Sequence, residues 1–213
     1  MVLRFVLYLR LDKTVYISIH NILVPVGEET TQIDHVLVSR FGIFVIETKN
    51  IKGWIFGAAS SDRWCQSVFG KKFFFQNPLR QNYRHTRALA EFLKIDHEVF
   101  HSIVVFVGDC KFRTPMPENV MQSGLIRYIS RFTQVVFTDP EVQEIEGKLR
   151  TWKATATISN RQHCSSLKAR HSTVTTCPKC GSALVARVAK RGKWTGQSFF
   201  GCSRYPKCRY TKT

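Results

Sequence analysis

Four cysteines in the last part of the chain form two closely spaced pairs. Cys177 and Cys180 belong to the segment C-P-K-C-G, Cys202 and Cys208 belong to G-C-S-R-Y-P-K-C, and 21 residues separate the two pairs. Two thiols from each of two tight turns suit a tetrahedral Zn²⁺ ion, and four thiolates leave that ion no open position for catalysis. The spacing therefore predicts a structural zinc site, with unmetallated or redox-active thiols as the alternative.

A second group of residues that could do chemistry lies much earlier in the chain, at Asp34, Glu47 and Lys49. The segments that carry them have the composition of strands and are joined by S-R-F-G at residues 39–42, which is a hairpin signal. If the hairpin closes there, paired residue numbers sum to 81 and Asp34 lies opposite Glu47. Lys49, two residues further along the strand, shares a face with Glu47.

Two carboxylates that face each other across a strand pair repel, and a bound divalent cation removes the repulsion. Mg²⁺ is held by one or two carboxylates together with phosphate and water, and a lysine beside it can orient the attacking water. The pattern predicts a metal-assisted phosphodiester hydrolase, with Asp34 and Glu47 as Mg²⁺ ligands and with Asp34, Glu47 and Lys49 as catalytic residues. The alternative is a surface strand pair whose charge Lys49 neutralises.

The segments around these residues are similar to the nuclease-related domain (NERD) family, which has the D…(D/E)-x-K core of restriction-endonuclease-like proteins. The resemblance covers roughly residues 14–125 and rests on T-Q-I-D-H-V-L-V-S-R-F-G-I-F-V-I-E-T-K-N, K-G-W-I-F-G and Q-N-P-L-R-Q-N-Y. It implies that Asp34 and Glu47 bind metal and that Lys49 serves the attacking water. It also implies that Gln81 is an accessory polar group of the same site and that the backbone carbonyl of Thr48 is a further metal ligand.

The chain departs from this family in one respect. Nuclease-related domains usually begin with a helix that bears G-x-x-G-E, whose glutamate completes the acidic site. This chain begins with M-V-L-R-F-V-L-Y and has no such motif, and Glu28 and Glu29 are the nearest candidates to replace that glutamate. The departure bears on activity and leaves the fold expectation unchanged.

The cysteine segment also resembles a known family, the four-cysteine zinc finger at the C-terminus of bacterial type IA topoisomerases. The likeness rests on C-P-x-C-G-x-x-L and F-F-G-C-S-x-Y-P-x-C-x-Y. In that family the module is a zinc ribbon that binds DNA. A chain of 213 residues is too short to contain a topoisomerase core, so the finger does not make this protein a topoisomerase.

Positive charge is concentrated at the same end of the chain. The net charge is +17, and residues 151–213 hold 13 Lys or Arg and no Asp or Glu, which leaves 19 bases and 15 acids, or +4, for residues 1–150. A nearly balanced domain followed by a purely cationic module is typical of polyanion binding, and nonspecific DNA, single- or double-stranded, is the expected partner.

The odd count of seven cysteines indicates a reducing compartment. No stretch has the apolar length of a membrane helix, so we expect a cytoplasmic location, with nucleoid association as a variant.

The elements that must position these residues indicate an α/β protein. The expected order is strands over 16–24, 33–38, 43–49 and 54–56, a helix that Asn77 caps and Pro78 opens, a buried strand over 103–107, a weak helix over 118–131, a short strand over 134–137 and a last helix from Asp139 to Leu149. This order predicts a restriction-endonuclease-like mixed sheet flanked by helices in residues 1–150. A basic Ser/Thr-rich linker in residues 151–171 and a small zinc ribbon in residues 172–213 complete the chain.

Basic and aromatic side chains form the candidate DNA-binding surface. On the helix, Arg80, Arg84 and Arg87 share one side and could follow phosphates, with an ordinary solvated face as the alternative. In the ribbon, bases alternate with aromatic residues that could stack on unpaired bases or build the small core. The candidates there are Lys190, Arg191, Lys193, Trp194, Arg204, Tyr205, Lys207 and Arg209.

These observations together predict a DNA-binding protein that hydrolyses DNA phosphodiesters with Mg²⁺ while a Zn²⁺ ribbon holds the strand. Two alternatives stay open. The protein could be a catalytically inactive DNA-binding or DNA-processing accessory, or its ribbon could dock on a topoisomerase or polymerase partner.

Overall fold

The computed structural model describes residue 3 and residues 11–27, 29–155, 177, 179–180, 182–189, 195 and 197–212. The chain divides into two compact units, Met1–Thr157 and Ile158–Thr213. Within the described residues, no helix combines the length and the apolar character that crossing a bilayer requires.

Over residues 11–155, of which only residue 28 is not described, the first unit contains two sheets and three α-helices. In chain order its elements are β1 (Ile17–Val26), β2 (Glu29–Ser39), β3 (Gly42–Lys49), β4 (Gly53–Phe56), β5 (Arg63–Val68), β6 (Lys71–Gln76), α1 (Pro78–Leu93), β7 (Phe100–Phe106), β8 (Cys110–Phe112), β9 (Val120–Met121), α2 (Leu125–Ile129) and α3 (Asp139–Thr155). A 3₁₀ turn, His97–Val99, precedes β7. The first sheet has the order β1-β2-β3-β7-β9 and the second the order β6-β5-β4-β8.

The first sheet is mixed, as the sequence predicted. Strands β1, β2 and β3 pair antiparallel, whereas β3–β7 and β7–β9 pair parallel. The β2–β3 ladder runs from Ser39 opposite Gly42 to His35 opposite Ile46, so the predicted register with a sum of 81 is confirmed. An α/β architecture with a mixed sheet flanked by helices is therefore confirmed for this unit.

Both faces of the first sheet are buried, which explains the nearly continuous apolar runs of β2 and β3. On one face, Val36, Val38 and Val45 pack with Leu89 of α1 and Leu149 of α3. The opposite face belongs to a second cluster, which includes Phe44, Ile103 and Leu125 of α2. Two residues of the second sheet, Ile55 and Trp64, pack with Val104 and Phe106 of the first sheet and join the two sheets.

Helix α1 begins where the sequence predicted. The side chain of Asn77 accepts a hydrogen bond from the backbone N–H of Leu79 at 2.9 Å, and Pro78 occupies the first helical turn. The Asn77 amide also donates to the carbonyls of Ala59 and Ser61, at 3.0 and 2.7 Å. One buried residue thus caps the helix and holds the loop before β5.

Several boundaries differ from the expectation. Strand β5 has no alternating apolar pattern beyond Trp64, and it was not predicted. The strand expected over 134–137 is wrong, because the N–H groups of Val136 and Phe137 both donate to the single carbonyl of Arg40 and build no ladder. Helix α3 runs on to Thr155, where Trp152 donates to the carbonyl of Leu23 at 2.6 Å.

The second unit contains a three-stranded antiparallel sheet in its described part. Its strands are β10 (Leu184–Val188), β11 (Ser198–Cys202) and β12 (Thr211–Lys212), in the order β10-β11-β12. Cys177, Cys202 and Cys208 form a buried cluster against which Leu184 and Tyr210 pack. The cysteines take the place of an apolar core, as in small metal-stabilised domains.

Candidate functional site

Strand alternation brings the predicted acidic residues to one place. Because Val36 and Val45 face helix α1, residues two positions along each strand face the same way. Asp34, Glu47 and Lys49 therefore extend the buried face of β2 and β3 beyond the end of the apolar cluster. Gln81 reaches the same place from the first turns of α1.

Lys49 is the centre of this group. Its Nζ donates to Glu47 Oε1 at 2.6 Å and to Gln81 Oε1 at 2.8 Å. Glu47 is only 4% exposed. The structure thus brings Glu47, Lys49 and Gln81 into direct contact, and Glu47 forms an ion pair that is largely removed from water.

Asp34 lies just beyond the last pair of the β2–β3 ladder. Its Oδ2 accepts a hydrogen bond from the backbone N–H of Thr48 at 3.0 Å, and its charge acts on the nearby Glu47. This bond leaves Asp34 Oδ1 available to another partner. The hydroxyl of Thr48 is buried and has no hydrogen-bond partner, and the role expected for the Thr48 carbonyl stays a prediction.

The environment of Glu47 disfavours its negative charge. Burial raises the pKa of Glu47 above its ordinary value, and the charge of Asp34 adds to the rise, while Lys49 and Gln81 oppose it. A bound metal cation would stabilise this buried negative charge, as the ammonium group of Lys49 already does.

His85 also belongs to this site, one turn after Gln81 on α1. Its Nδ1 lies 3.4 Å from Glu47 Oε2 and is buried without a hydrogen bond. Burial lowers the pKa of His85 to about 4, although Asp34 opposes the shift. His85 is therefore neutral at physiological pH, and the close approach to Glu47 is not a charged pair.

Asn82 is a second residue whose place the pattern did not predict. Its side-chain amide donates to the carbonyls of Val45 and Ile103 and to the Ser102 hydroxyl, at 2.8, 3.0 and 2.9 Å. It thus ties α1 to the parallel strands β3 and β7. The neighbouring Tyr83, although aromatic, is exposed. For His85, the sequence did contain a signal: it lies four residues after Gln81, so the two side chains lie on the same face of the helix.

Only one cluster among the described residues brings three or more candidate metal-ligand atoms within 4.8 Å of one another, and that cluster is the four cysteines. Cys177 and Cys208 sulfurs lie 3.7 Å apart, and Cys180 and Cys202 sulfurs 3.4 Å apart. Four converging thiols match a closed tetrahedral site for structural Zn²⁺.

Backbone groups prepare these thiols for a metal. The pKa of Cys180 is lowered to about 6, chiefly because the backbone N–H of Ser182 donates to its sulfur, and the N–H of Arg204 donates to Cys202 Sγ at 3.4 Å. Burial raises the pKa of Cys202. Cysteine binds metal as the thiolate, and burial disfavours that negative charge at Cys202. A bound cation would stabilise the buried thiolate.

The predicted DNA-binding residues occupy different surroundings. Arg84 and Arg87 are exposed on α1, whereas Arg80 forms an ion pair with Asp62 and donates to the Ser60 carbonyl at 2.7 Å. In the ribbon, four predicted residues are exposed in the stretch between the last two cysteines and just beyond it: Arg204, Tyr205, Lys207 and Arg209. The other four, Lys190, Arg191, Lys193 and Trp194, lie outside the described residues.

Comparison with known families matches both parts of the chain. Residues 3–107 match the nuclease-related domain, and residues 174–213 match the topoisomerase DNA-binding C4 zinc finger. Both resemblances drawn from the sequence are confirmed, and they support a DNA-related function. No solved structure gives a significant match.

Similar proteins fall into the same two groups. An uncharacterized protein of Bacillus anthracis is 37% identical over 142 residues, which are 64% of this chain and 66% of that protein. DNA topoisomerase 1 of Mycoplasma genitalium and of Methanocaldococcus jannaschii are 50% and 54% identical over 36 residues, which are 17% of this chain but 5% and 4% of those proteins. The chain thus spans less than two thirds of each of these relatives. It carries a nuclease-related domain followed by a topoisomerase-type C4 zinc finger.

Proposed function

We propose that the protein is a DNA nuclease that hydrolyses phosphodiesters with Mg²⁺ at the site of Asp34, Glu47, Lys49 and Gln81. The observation that carries the proposal is the contact of Lys49 Nζ with both Glu47 and Gln81, beside the Asp34 carboxylate. A nuclease-related domain in which two carboxylates and a lysine meet where the β2–β3 ladder ends has the residue types that metal-assisted hydrolysis uses.

The donor set fits a hard divalent cation. Asp34 and Glu47 offer carboxylate oxygens, which Mg²⁺ prefers, and the burial of Glu47 favours a neutralising charge there. When bound, Mg²⁺ would polarise the phosphodiester and stabilise the charge that develops on its oxygens.

The chain's own residues would position the reactants. Gln81 Oε1 accepts from Lys49 Nζ and so directs the ammonium group, which can hold the water whose oxygen forms the new bond to phosphorus. As it attacks, the water gives up a proton to solvent, and the leaving sugar oxygen takes a proton from solvent as its bond to phosphorus breaks. His85 is neutral and buried against Glu47, and it helps to keep bulk water from this carboxylate.

The ribbon would hold the DNA while the first unit cuts it. Its described part carries exposed bases and no acid, and its relatives include DNA topoisomerases. Contacts of such bases with phosphates give affinity without sequence information. Residues 151–171 would link this ribbon, residues 172–213, to the nuclease-related domain of residues 1–150, in the cytoplasm and near the nucleoid.

A second candidate function is DNA binding without cleavage, as an accessory in DNA processing. The observation that favours it is the existing neutralisation of Glu47 by Lys49 at 2.6 Å, because a site that already pairs its buried charge needs no metal. In this case the ribbon would bind DNA or dock on a topoisomerase or polymerase.

The test incubates the zinc-loaded chain with labelled single-stranded and duplex DNA, with Mg²⁺, with Mn²⁺ and with EDTA. Glu47→Gln and Asp34→Asn should lower the cleavage rate at least about 100-fold, while DNA affinity is retained. Glu91→Gln, an exposed carboxylate change on α1, is the matched control and should cleave normally. Cleavage that persists in Glu47→Gln would refute the site, and metal-independent binding without cleavage by the unmodified chain would favour the second candidate.

The contribution of the ribbon is tested by its salt dependence. Replacing Arg204, Lys207 and Arg209 together with alanine should weaken binding and reduce the slope of log affinity against log salt by about 2, at about 0.7 for each lost contact with a single-strand phosphate. An unchanged slope would contradict a DNA-holding role of these residues and would favour a protein partner for the ribbon.

A further inference from the structure

The second sheet of the first unit exposes large aromatic side chains that neither core nor candidate active site uses. Trp54 on β4 is 49% exposed, and Phe73 and Phe74 on β6 are 52% and 59% exposed. Phe69, in the tight turn between β5 and β6, is 100% exposed. Burial therefore does not explain why these positions carry aromatic residues.

Strand pairing separates these rings into two sides. Trp64 and Ile55 are buried, and Phe75 lies opposite Trp64, so this side of the sheet faces the core. Trp54 and Phe74 are adjacent in sequence to Ile55 and Phe75, so they point to the opposite side. We call that side the outer face of the second sheet.

The outer face carries regular rows of residues across its strands. One row places Lys111 of β8 beside Trp54, then Ser67, then Lys72. The next row places Phe56 beside Cys65 and then Phe74. The Trp54 and Phe74 positions are two strands apart, about 9–10 Å, and differ by two residues, about 7 Å, along the strands.

Positive charge surrounds these rings. The segments 52–76 and 109–113 contain six basic and two acidic residues: Lys52, Arg63, Lys71, Lys72, Lys111 and Arg113 against Asp62 and Asp109. Asp62 is paired with Arg80. The guanidinium of Arg113 lies 4.2 Å from the Trp54 ring centre, and that of Arg63 lies 5.8 Å from the Phe74 ring centre. Trp54 and Phe74, the two most exposed rings of the outer face, are thus each accompanied by an arginine.

The turn at Phe69 supports a functional reason for this surface. Phe69 and Gly70 both have positive φ, at 49° and 76°, as in the two-residue hairpin turns that favour Asn-Gly. A bulky residue in the left-handed region is strained. Because the Phe69 side chain is fully exposed, no hydrophobic burial offsets that strain. The sequence keeps an aromatic side chain at a position where folding disfavours it.

The geometry points to the outer face as a binding surface for single-stranded DNA, on which Trp54 and Phe74 stack against unpaired bases while Lys72, Lys111, Arg63 and Arg113 hold the phosphates. Exposed rings spaced along a basic surface are the feature by which proteins bind single strands without sequence preference. A duplex hides its base faces, so the surface should favour unpaired strands over paired ones. This inference does not depend on cleavage, since the binding can be measured without added divalent metal.

Neighbouring residues on opposite sides of β6 provide matched controls. Phe74 lies on the outer face and Phe73 on the other side, with similar exposure. Lys72 and Lys71 form a second such pair, in which Lys72 belongs to the outer face. Alanine substitutions within a pair remove the same kind of side chain from adjacent positions of one strand. A difference in DNA affinity between the two variants therefore reports the face of the sheet and not the residue type.

The test measures binding of the full chain to a fluorescently labelled oligo-dT and to a duplex of equal length, without added Mg²⁺. Trp54→Ala and Phe74→Ala should each weaken oligo-dT binding about 10-fold, with Phe73→Ala and duplex binding within about 2-fold of the unmodified chain. Lys72→Ala should lower the salt slope for oligo-dT by about 0.7, and Lys71→Ala should leave it unchanged. Trp54→Phe, which retains a ring, should recover most of the affinity, and circular dichroism verifies folding of each variant.

Photo-cross-linking with a bromodeoxyuridine-substituted strand gives an independent readout, and the cross-linked peptides should include residues 54 or 74. The inference is overturned if Phe74→Ala and Phe73→Ala bind oligo-dT equally, or if no cross-link falls on β4 or β6. It is also overturned if the outer-face variants change the oligomeric mass in light scattering while DNA affinity stays constant, because the face is then an interface between copies.

Discussion

Replacing Lys49 with methionine tests the electrostatics of the candidate site. Methionine retains much of the apolar stem but removes the ammonium group that lies 2.6 Å from Glu47 Oε1. Glu47 is then a buried carboxylate with Asp34 nearby and with only neutral partners, His85 and Gln81. The pKa of Glu47, which burial already raises, should rise further in the variant.

The expected loss of stability follows from the burial of the pair. Removing one partner of a buried ion pair costs about 3–5 kcal/mol. We expect the lower end, about 3 kcal/mol at pH 8, because the Lys49 side chain is 19% exposed and water screens part of the interaction. For a protein of this size, about 3 kcal/mol corresponds to a fall in Tm of about 6–12 °C.

The pH dependence has a definite sign. A carboxyl group whose folded pKa lies above its unfolded pKa binds its proton more readily in the folded state, so the folded state gains stability as pH falls through the folded pKa. The variant has the larger rise in the pKa of Glu47. Its deficit relative to the unmodified chain should therefore shrink between pH 8 and pH 5.

Thermal unfolding followed by circular dichroism at pH 5, 6, 7 and 8 measures this deficit. The double variant Glu47→Gln/Lys49→Met should recover most of the stability, since it removes the unpaired charge. Lys148→Met, which breaks an exposed pair with Glu144 on α3, should cost less than about 1 kcal/mol. The reasoning is refuted if Lys49→Met is as stable as the unmodified chain at pH 8, or if the double variant is no better than the single one.

Two further predictions concern the other groups of the two units. Cys180→Ser should lose the single equivalent of zinc per chain during dialysis against a weak chelator, because three thiolates bind Zn²⁺ less tightly than four, whereas Cys65→Ser, which changes a half-buried thiol in β5, should retain it. Equal metal content of both variants, measured by atomic absorption, would contradict the four-thiolate site. His85 should titrate by NMR with its pKa at about 4 rather than near 6.5. Because the unfolded chain takes up that proton first, the contribution of His85 to stability should fall as pH drops from about 6.5 towards 4. A midpoint near 6.5 would mean that the imidazole is solvated, and the packing assigned to it beside Glu47 would be wrong.

The parts of the site that could be predicted were those with local signals. The S-R-F-G turn and the flanking apolar residues determined the β2–β3 register, since a slip by one residue would turn every side chain to the other face. Asn77 and Pro78 determined the start of α1 through backbone chemistry within a few residues. The four cysteines could be assigned because metal spacing is also local.

The parts that could not be predicted depend on distant residues. The buried face of α1 carries polar residues at Asn82 and His85, whereas the aromatic Tyr83 is exposed, so apolar spacing does not identify this face. Asn82 is buried because the carbonyls of Val45 and Ile103 are its partners. Those strands lie 37 and 21 residues away in the chain, and a periodicity argument does not include them.

The amino-acid sequence by itself determined the four cysteines of the zinc site, the hairpin register and the division into an acid-containing and a purely basic part. Only the tertiary structure decided that Lys49 bridges Glu47 and Gln81 and that His85 is buried and neutral. It also decided that exposed rings of β4 and β6 share one face among basic side chains. The physical reason is that residue type and local spacing are encoded within a few residues, whereas burial, charge pairing and pKa depend on which distant strands and helices pack together.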